Sequence, residues 1–285
     1  MSQKSYDNSA TLYLIQTPIG NMEDLTLRTI NILKEVDVIF CEDSRETGKL
    51  LKYLGISKKM IVNHDHNEEN NYEKLLSFLE KGNSVGLVSD RGTPVISDPG
   101  FELSRFAIEK GYNVVGLPGA TALIPALIMS GINPKPFTFY GFLNSKSSKR
   151  KNELENMKNL NSTLIFYEAP HRIKDTLIDM GNILGNRKIS ISREISKKYE
   201  EVYRGNIEEI ISQNNDYKGE LVIVVAGNNF DADFSMSIEE HIELFLNDGY
   251  KSNDAIKIVA KERNMKKSEV YDIYLKKYRK WFLWN

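Results

Sequence analysis

Hydrophobic and polar positions change period repeatedly along the chain. Thr11 to Gln16, Val36 to Cys41, Ile61 to Asn63, Val85 to Val88 and Asn113 to Leu117 are short, mostly apolar runs. Between them lie stretches with helical spacing: Leu25 to Glu35, Glu46 to Leu54, Asn71 to Lys81 and Phe101 to Lys110. Gly55, Gly82 and Gly111 close the last three, and Asp24 is placed to cap the first. Short apolar runs bounded by turn residues predict buried strands, and the 3.6-residue period predicts helices. Regular alternation of the two predicts a mostly parallel sheet.

The pattern restarts after a helix over Leu123 to Ser130 and a break holding Gly131, Pro134 and Pro136. Phe137 to Gly141 predicts a strand, and Asn144 to Arg150, polar and basic, predicts a mobile exposed loop. A helix to about Leu160, a strand over Ser162 to Tyr167, a helix over 173–184 and a strand over 188–193 follow. A segment through Tyr203 carries no element signal; helix 206–213 then leads to a strong strand, Glu220 to Ala226. The expected organisation is α/β: a disordered 1–10, an α/β domain over 11–118 and a second over 119–228. After a linker, a helical domain spans 236–285, with helices near 238–247, 252–263 and 268–280.

Composition narrows the classes. The chain has 285 residues, 41% hydrophobic, with a formal net charge of −1, so overall charge does not decide for or against nucleic acid. From Gly249 onward, ten Lys and Arg face four Asp and Glu. Basic charge on a compact helix-turn-helix pattern points to nucleic-acid contact; the competing reading is an amphipathic helix packed through Tyr271, Tyr274, Tyr278 and Trp281. Cys41 is the single cysteine, so no disulfide framework forms and a reducing compartment is expected. The first ten residues lack the charged-then-apolar order of a signal, and no apolar run approaches the roughly 18–20 residues of a membrane span. A cytoplasmic protein is expected.

Ligands of open α/β sheets bind beyond the carboxyl ends of the strands. Two such loops, Ser89 to Gly100 and Pro118 to Thr121, are crowded with small and polar residues. Small residues let a ligand approach the backbone. Asp90, directly after its strand, is the carboxylate expected to meet a ligand, whereas Ser97 and Asp98 are expected to cap the next helix. The chain holds no G-x-G, no P-loop and no G-x-S-x-G, which sets aside ordinary dinucleotide, P-loop nucleotide and α/β-hydrolase sites. His64-Asp65-His66 lacks a third metal ligand at helical spacing, so a polar cleft loop is expected and no metal.

LYLIQTPIGN, CEDSRETGKLL, LVSDRGTPVISDPG, LPGATAL, FYEAPHR, SREISKKYEEVYRG and GELVIVV occur in this order. Together they resemble the 16S rRNA (cytidine 2′-O)-methyltransferases of the tetrapyrrole methylase superfamily, over roughly 11–280. The resemblance implies two α/β domains with S-adenosylmethionine bound between them. It also implies a homodimer and, as substrate, a decoding-region cytidine of 16S rRNA or the small ribosomal subunit. It implies a donor site of Pro18, Gly20, Ser89, Asp90, Gly92, Thr93, Pro94, Thr121, Ala122, Tyr167 and Leu221. Two positions depart from the family: Arg91 stands where SDAGTP has Ala, and PGATAL replaces PGPSAL, with Thr121 keeping the hydroxyl. A small-molecule, tetrapyrrole-like methyltransferase and a non-catalytic RNA-binding factor are the competing readings. Both basic segments, 146–151 and the tail, speak against the first.

A ribose hydroxyl is a weak nucleophile. Alignment lowers the barrier by about 7–11 kcal/mol at best, and a positioned base adds about 10²–10⁴-fold. Strand-end candidates for proton transfer are Glu42, Asp43, Glu168, His171 and Glu194; Arg45, Arg172 and Arg193 are candidates for gripping phosphate or lowering the hydroxyl pKa. Mutual salt bridging is the competing role for each carboxylate and arginine.

Overall fold

The computed structural model describes residues 3–5, 7–64, 69–213, 215–228, 237–247, 249–263 and 265–282. Asp65 and His66 lie outside the described residues, as do the side chains of Tyr278 and Trp281. The chain divides into two compact units, Met1–Ala226 and Gly227–Asn285.

The first unit contains two five-stranded sheets. In the first, β1 (Thr11–Ile15), β2 (Val38–Cys41), β3 (Lys59–Val62), β4 (Val85–Val88) and β5 (Asn113–Gly116) lie in the order β3-β2-β4-β1-β5. Every pair is parallel. Helices cover both faces, so β2 and β4 are buried at every position and read as continuous apolar runs. Ile15, Ile39, Cys41 and Val88 pack with Leu33 of α1 (Leu27–Glu35) and Leu51 of α2 (Ser44–Tyr53). Leu12, Phe40 and Leu87 pack instead with Leu75 of α3 (Tyr72–Leu79) and Leu103 of α4 (Phe101–Glu109). This strand order brings the carboxyl ends of β2, β4, β1 and β5 side by side.

Two caps differ from expectation. The helix α1 starts at Leu27, where Thr26 accepts the Thr29 N–H; Asp24 belongs to a short 3₁₀ turn, Met22–Asp24. The N-cap of α4 is Gly100, at φ 119°, with no side-chain cap bond. The N-cap position is therefore neither Ser97 nor Asp98 but Gly100, two residues beyond Asp98.

In the second sheet, β6 (Phe137–Phe142), β7 (Thr163–Glu168), β8 (Lys188–Arg193), β9 (Glu201–Asn206) and β10 (Leu221–Val225) lie in the order β6-β7-β10-β8-β9. β6 and β7 are parallel; the other neighbours are antiparallel. The unanticipated strand is β9. Its residues, EVYRGN, form an incompletely buried edge strand with no apolar run to announce it. One face of this sheet packs on α7 (Ile173–Leu184) and α8 (Ile207–Ser212), the other on α5 (Leu123–Met129) and Ile19 of the first lobe.

The stretch expected to be a mobile loop is largely helical: α6 spans Ser147–Met157. Arg150 is buried, bonded to Asp179 Oδ2 through Nε at 2.7 Å and Nη2 at 2.6 Å. The amino-terminal residues, expected to be disordered, meet β5: Gln3 exchanges hydrogen bonds with Val114, and Asn113 donates to the Lys4 carbonyl and Ser9.

The second unit comprises α9 (Ile238–Asn247), α10 (Ser252–Glu262) and α11 (Lys267–Phe282), around a core of Ile242, Ala255, Ile256, Val259, Ala260 and Val270. Tyr274 packs against this core and its hydroxyl meets Ser252 Oγ at 3.0 Å, while Tyr271 is exposed. No described helix is long and apolar enough to cross a membrane.

Candidate active site

The loops after the central strands of the first sheet are tied to one another before any ligand is considered. Thr17 and Gly92 form an isolated antiparallel bridge, with N–H to carbonyl distances of 2.9 and 3.0 Å. Thr17 Oγ1 donates to the Ser89 carbonyl at 3.2 Å, and Thr93 Oγ1 to the Ala120 carbonyl at 3.1 Å. Three loops, after β1, β4 and β5, thus form one rigid rim. Gly92 is required there: its φ is 80°, and a Cβ would sit 3.2 Å from Ile19 Cγ2.

The loop after β2 joins through carboxylates. Asp90 Oδ1 accepts the Asp43 N–H at 2.9 Å, and Glu42 Oε2 faces the Asp90 N–H at 3.4 Å. Burial pushes the Asp90 carboxyl above its ordinary pKa; the Asp43 N–H opposes this, and the charges of Asp43 and Glu46 reinforce it. Asp43 itself caps α2 and is held down at about 2, chiefly by hydrogen bonds from Arg45.

The second lobe supplies the facing wall. Glu168, 2% exposed, accepts Thr176 Oγ1 at 2.6 Å and the Ala169 N–H at 2.8 Å, and pairs with Arg172 Nε at 3.2 Å. Arg172 Nη2 also donates to the Leu143 carbonyl at 2.6 Å. This network fixes the Glu168-Ala169-Pro170 turn at the end of β7. Burial pushes the Tyr167 phenol up, opposed by hydrogen bonding with Thr121 across the cleft.

Between the lobes lies a cavity of about 770 Å³, within the usual range for small-molecule sites. Of the residues expected from sequence, Asp90, Gly92, Thr93, Thr121, Ala122, Tyr167, Leu221, Glu42 and Glu168 line it. Pro18, Gly20, Ser89 and Pro94 do not, although each lies within two residues of one that does. His171 is exposed and outside the lining, Arg172 acts on Glu168, and Arg193 pairs with Glu201 at 2.7 Å.

The lining also includes Asp98, Ile96, Phe142, Ile195 and Glu220, which were not assigned to a ligand from sequence. Glu220 was within reach of sequence reasoning, since it immediately precedes Leu221. Phe142 and Ile195 were not: each follows a residue at positive φ, Gly141 at 86° and Glu194 at 50°, a local geometry that apolar patterning does not register. Among the described residues, no three His, Cys, Asp or Glu side chains gather as a metal would require.

Three comparisons bear on this architecture. The model of the tetrapyrrole (corrin/porphyrin) methylases matches residues 11–211. Ribosomal RNA small subunit methyltransferase I of Bacillus subtilis is 46% identical over 283 residues, covering 96% of this chain and 97% of its own. The protein of the same name from Halalkalibacterium halodurans is 45% identical, covering 96% and 98%. Among solved structures, the native form of uroporphyrin III C-methyltransferase from Thermus thermophilus superposes with a TM-score of 0.53 at 20% identity, over 75% of this chain and 97% of that one. That last likeness is one of fold. By the extent of the family match and by identity over nearly its full length, the chain belongs to the tetrapyrrole methylase family.

Proposed function

We propose that the cavity binds S-adenosylmethionine and that the chain methylates the ribose 2′-hydroxyl of a cytidine in the decoding region of 16S rRNA. The observation that carries this reading is the acidic cavity between the lobes, walled by Asp90, Glu42, Asp98 and Glu168 and floored by glycine-bearing turns. Its charge suits a cationic, amphipathic donor. Tyr167, Ile19 and Phe142 offer apolar surface beside the carboxylates, and Gly92 keeps the backbone open to close approach. These residues fit the group. When bound, it supplies an electrophilic sulfonium methyl.

The residues of the chain then have separable roles. Asp90 and the turn at Thr121-Ala122 hold the donor, while Glu168 and Arg172 keep the facing turn in place. Glu42, one of the strand-end carboxylates of the first lobe in the cavity wall, accepts the ribose proton. The names of the curated relatives support small-subunit ribosomal RNA as substrate; the ordered motifs support the cytidine 2′-oxygen. The same reading has a homodimer acting on the small ribosomal subunit in the cytoplasm, and sedimentation of the purified chain measures its subunit number.

The deciding experiment maps ribose methylation on small-subunit rRNA from cells with and without this gene, alongside purified enzyme, donor and unmethylated subunits. One decoding-region cytidine is expected to lose its 2′-O-methyl group without the gene. An unchanged map sinks the proposal, and methylation of a porphyrinoid but not of RNA selects the small-molecule reading. Glu42→Gln is expected to lower kcat by about 10²–10⁴, far more than it weakens donor binding; an unchanged kcat removes Glu42 from proton transfer.

A further inference from the structure

We infer that Arg91 is a phosphate grip for the RNA substrate, parked on Glu220 until RNA takes its place. The inference rests on the RNA reading above. Arg91 is the one basic side chain among the described residues that line the cavity, whose other ionisable groups of this kind are Asp and Glu. Such walls repel a polyanion, so an RNA backbone reaching the mouth needs a cation there. Arg91 is placed for that: it projects from the loop after β4 and pairs through Nη1 with Glu220 of the opposite lobe. Both side chains are more than half exposed, at 55% and 59%, and an exposed pair of this kind contributes little to stability.

Release of Arg91 leaves no orphaned charge. The second oxygen of Glu220 lies 2.8 Å from Lys197 Nζ, and Lys197 is also held by Glu194 Oε1 at 2.9 Å. The aliphatic stem of Lys197 rests on Gly20, where no Cβ intervenes, so this second partner is itself anchored across the cleft. Glu220 thus has a permanent cation in Lys197 and an exchangeable one in Arg91. A guanidinium fork matches two phosphate oxygens, which a single carboxylate oxygen does not fully use.

The test compares Arg91→Ala, Arg91→Lys and Glu220→Gln in the full chain. Binding of unmethylated small ribosomal subunits is measured over a range of salt, and S-adenosylmethionine binding by calorimetry in parallel. Arg91→Ala is expected to weaken subunit binding about tenfold and to reduce the log–log salt slope by about one phosphate's worth. Arg91→Lys restores the slope but only part of the affinity, because a point charge lacks the fork. Glu220→Gln tightens subunit binding, since it removes the competitor for Arg91. An unfolding midpoint close to that of the unaltered chain shows that each variant is folded. If the unaltered chain binds subunits and Arg91→Ala binds them equally well with the same slope, the grip is refuted. Weaker binding by Glu220→Gln would equally mark Arg91 as a strut between lobes. If the unaltered chain binds no RNA, the functional reading itself fails.

Discussion

Asp90 shows how one carboxylate serves both the fold and the ligand. It leaves the buried strand β4, takes the Asp43 N–H, and still lines the cavity. Its raised pKa has two consequences of opposite sign. For stability, the folded state favours the protonated acid, so the contribution is fully present below the unfolded pKa and is lost as pH rises through the raised value. For binding a cationic donor the ionised form is needed, so affinity falls as pH drops toward that same raised value. Asp90→Asn keeps an oxygen for the Asp43 N–H but removes the charge. It is expected to weaken S-adenosylmethionine binding about tenfold at neutral pH, on the scale of one hydrogen bond to a charged group, and to flatten the loss of affinity on acidification. Asp90→Ala also strands the Asp43 N–H, costing a further ~1–3 kcal/mol of stability. Calorimetry across pH decides: an Asn variant that binds like the unaltered chain reduces Asp90 to a brace between β2 and β4.

At the scale of elements, burial decided what could be foreseen. The central strands of the parallel sheet, β2 and β4, announce themselves because both faces are covered, and the loops at the strand ends, read with the family resemblance, point to Asp90 and Thr121, which line the cavity. The edge strand β9 was hidden because a half-exposed edge needs no apolar run. The start of α6 was hidden for a different reason. Lys149, Arg150 and Lys151 look alike as letters, yet Arg150 is buried while its neighbours are exposed. What distinguishes it is Asp179, on α7, whose carboxylate takes Arg150 and Ser147 together. Likewise the Glu168–Arg172 pairing was foreseeable only as one option, since both residues equally suited catalysis. Arg150 Nη1 also lies 3.3 Å from the Ser145 carbonyl, so the ion pair holds the chain just after β6, whose Phe142 lines the cavity. With side chains only 4% and 6% exposed, removal of one partner leaves a buried charge. Asp179→Ala is therefore expected to cost about 3–5 kcal/mol, read as a lowered midpoint in chemical denaturation. A loss below ~1 kcal/mol, the level of a surface pair, would show that water reaches Arg150 when its partner is gone.

The whole molecule separates chemistry from charge. Every core cluster around the two sheets is built from residues of the Met1–Ala226 unit, and the three final helices close a core of their own. Charge in the second unit is polarised. Residues 227–248 carry six Asp and Glu and no Lys or Arg, whereas 249–285 carry ten Lys and Arg against four Asp and Glu. Lys257, Lys261, Lys266 and Lys267 are exposed, and Lys267 lines a surface pocket together with the exposed ring of Tyr271. Packing alone does not require that surplus, because the core of this unit is made by its aliphatic residues. An exposed aromatic ring with a cation beside it suits a polyanion with flat bases. A chain ended after Ala226 is therefore expected to keep a single cooperative unfolding transition and unaltered S-adenosylmethionine binding, since no cavity residue is removed. Its affinity for small ribosomal subunits falls, and its salt slope drops by more than the single phosphate assigned to Arg91, because each phosphate that is no longer neutralised lowers that slope by about 0.7–0.9. Subunit binding undiminished by the truncation would return the tail to the role of a packing unit, with recognition residing wholly in the first 226 residues.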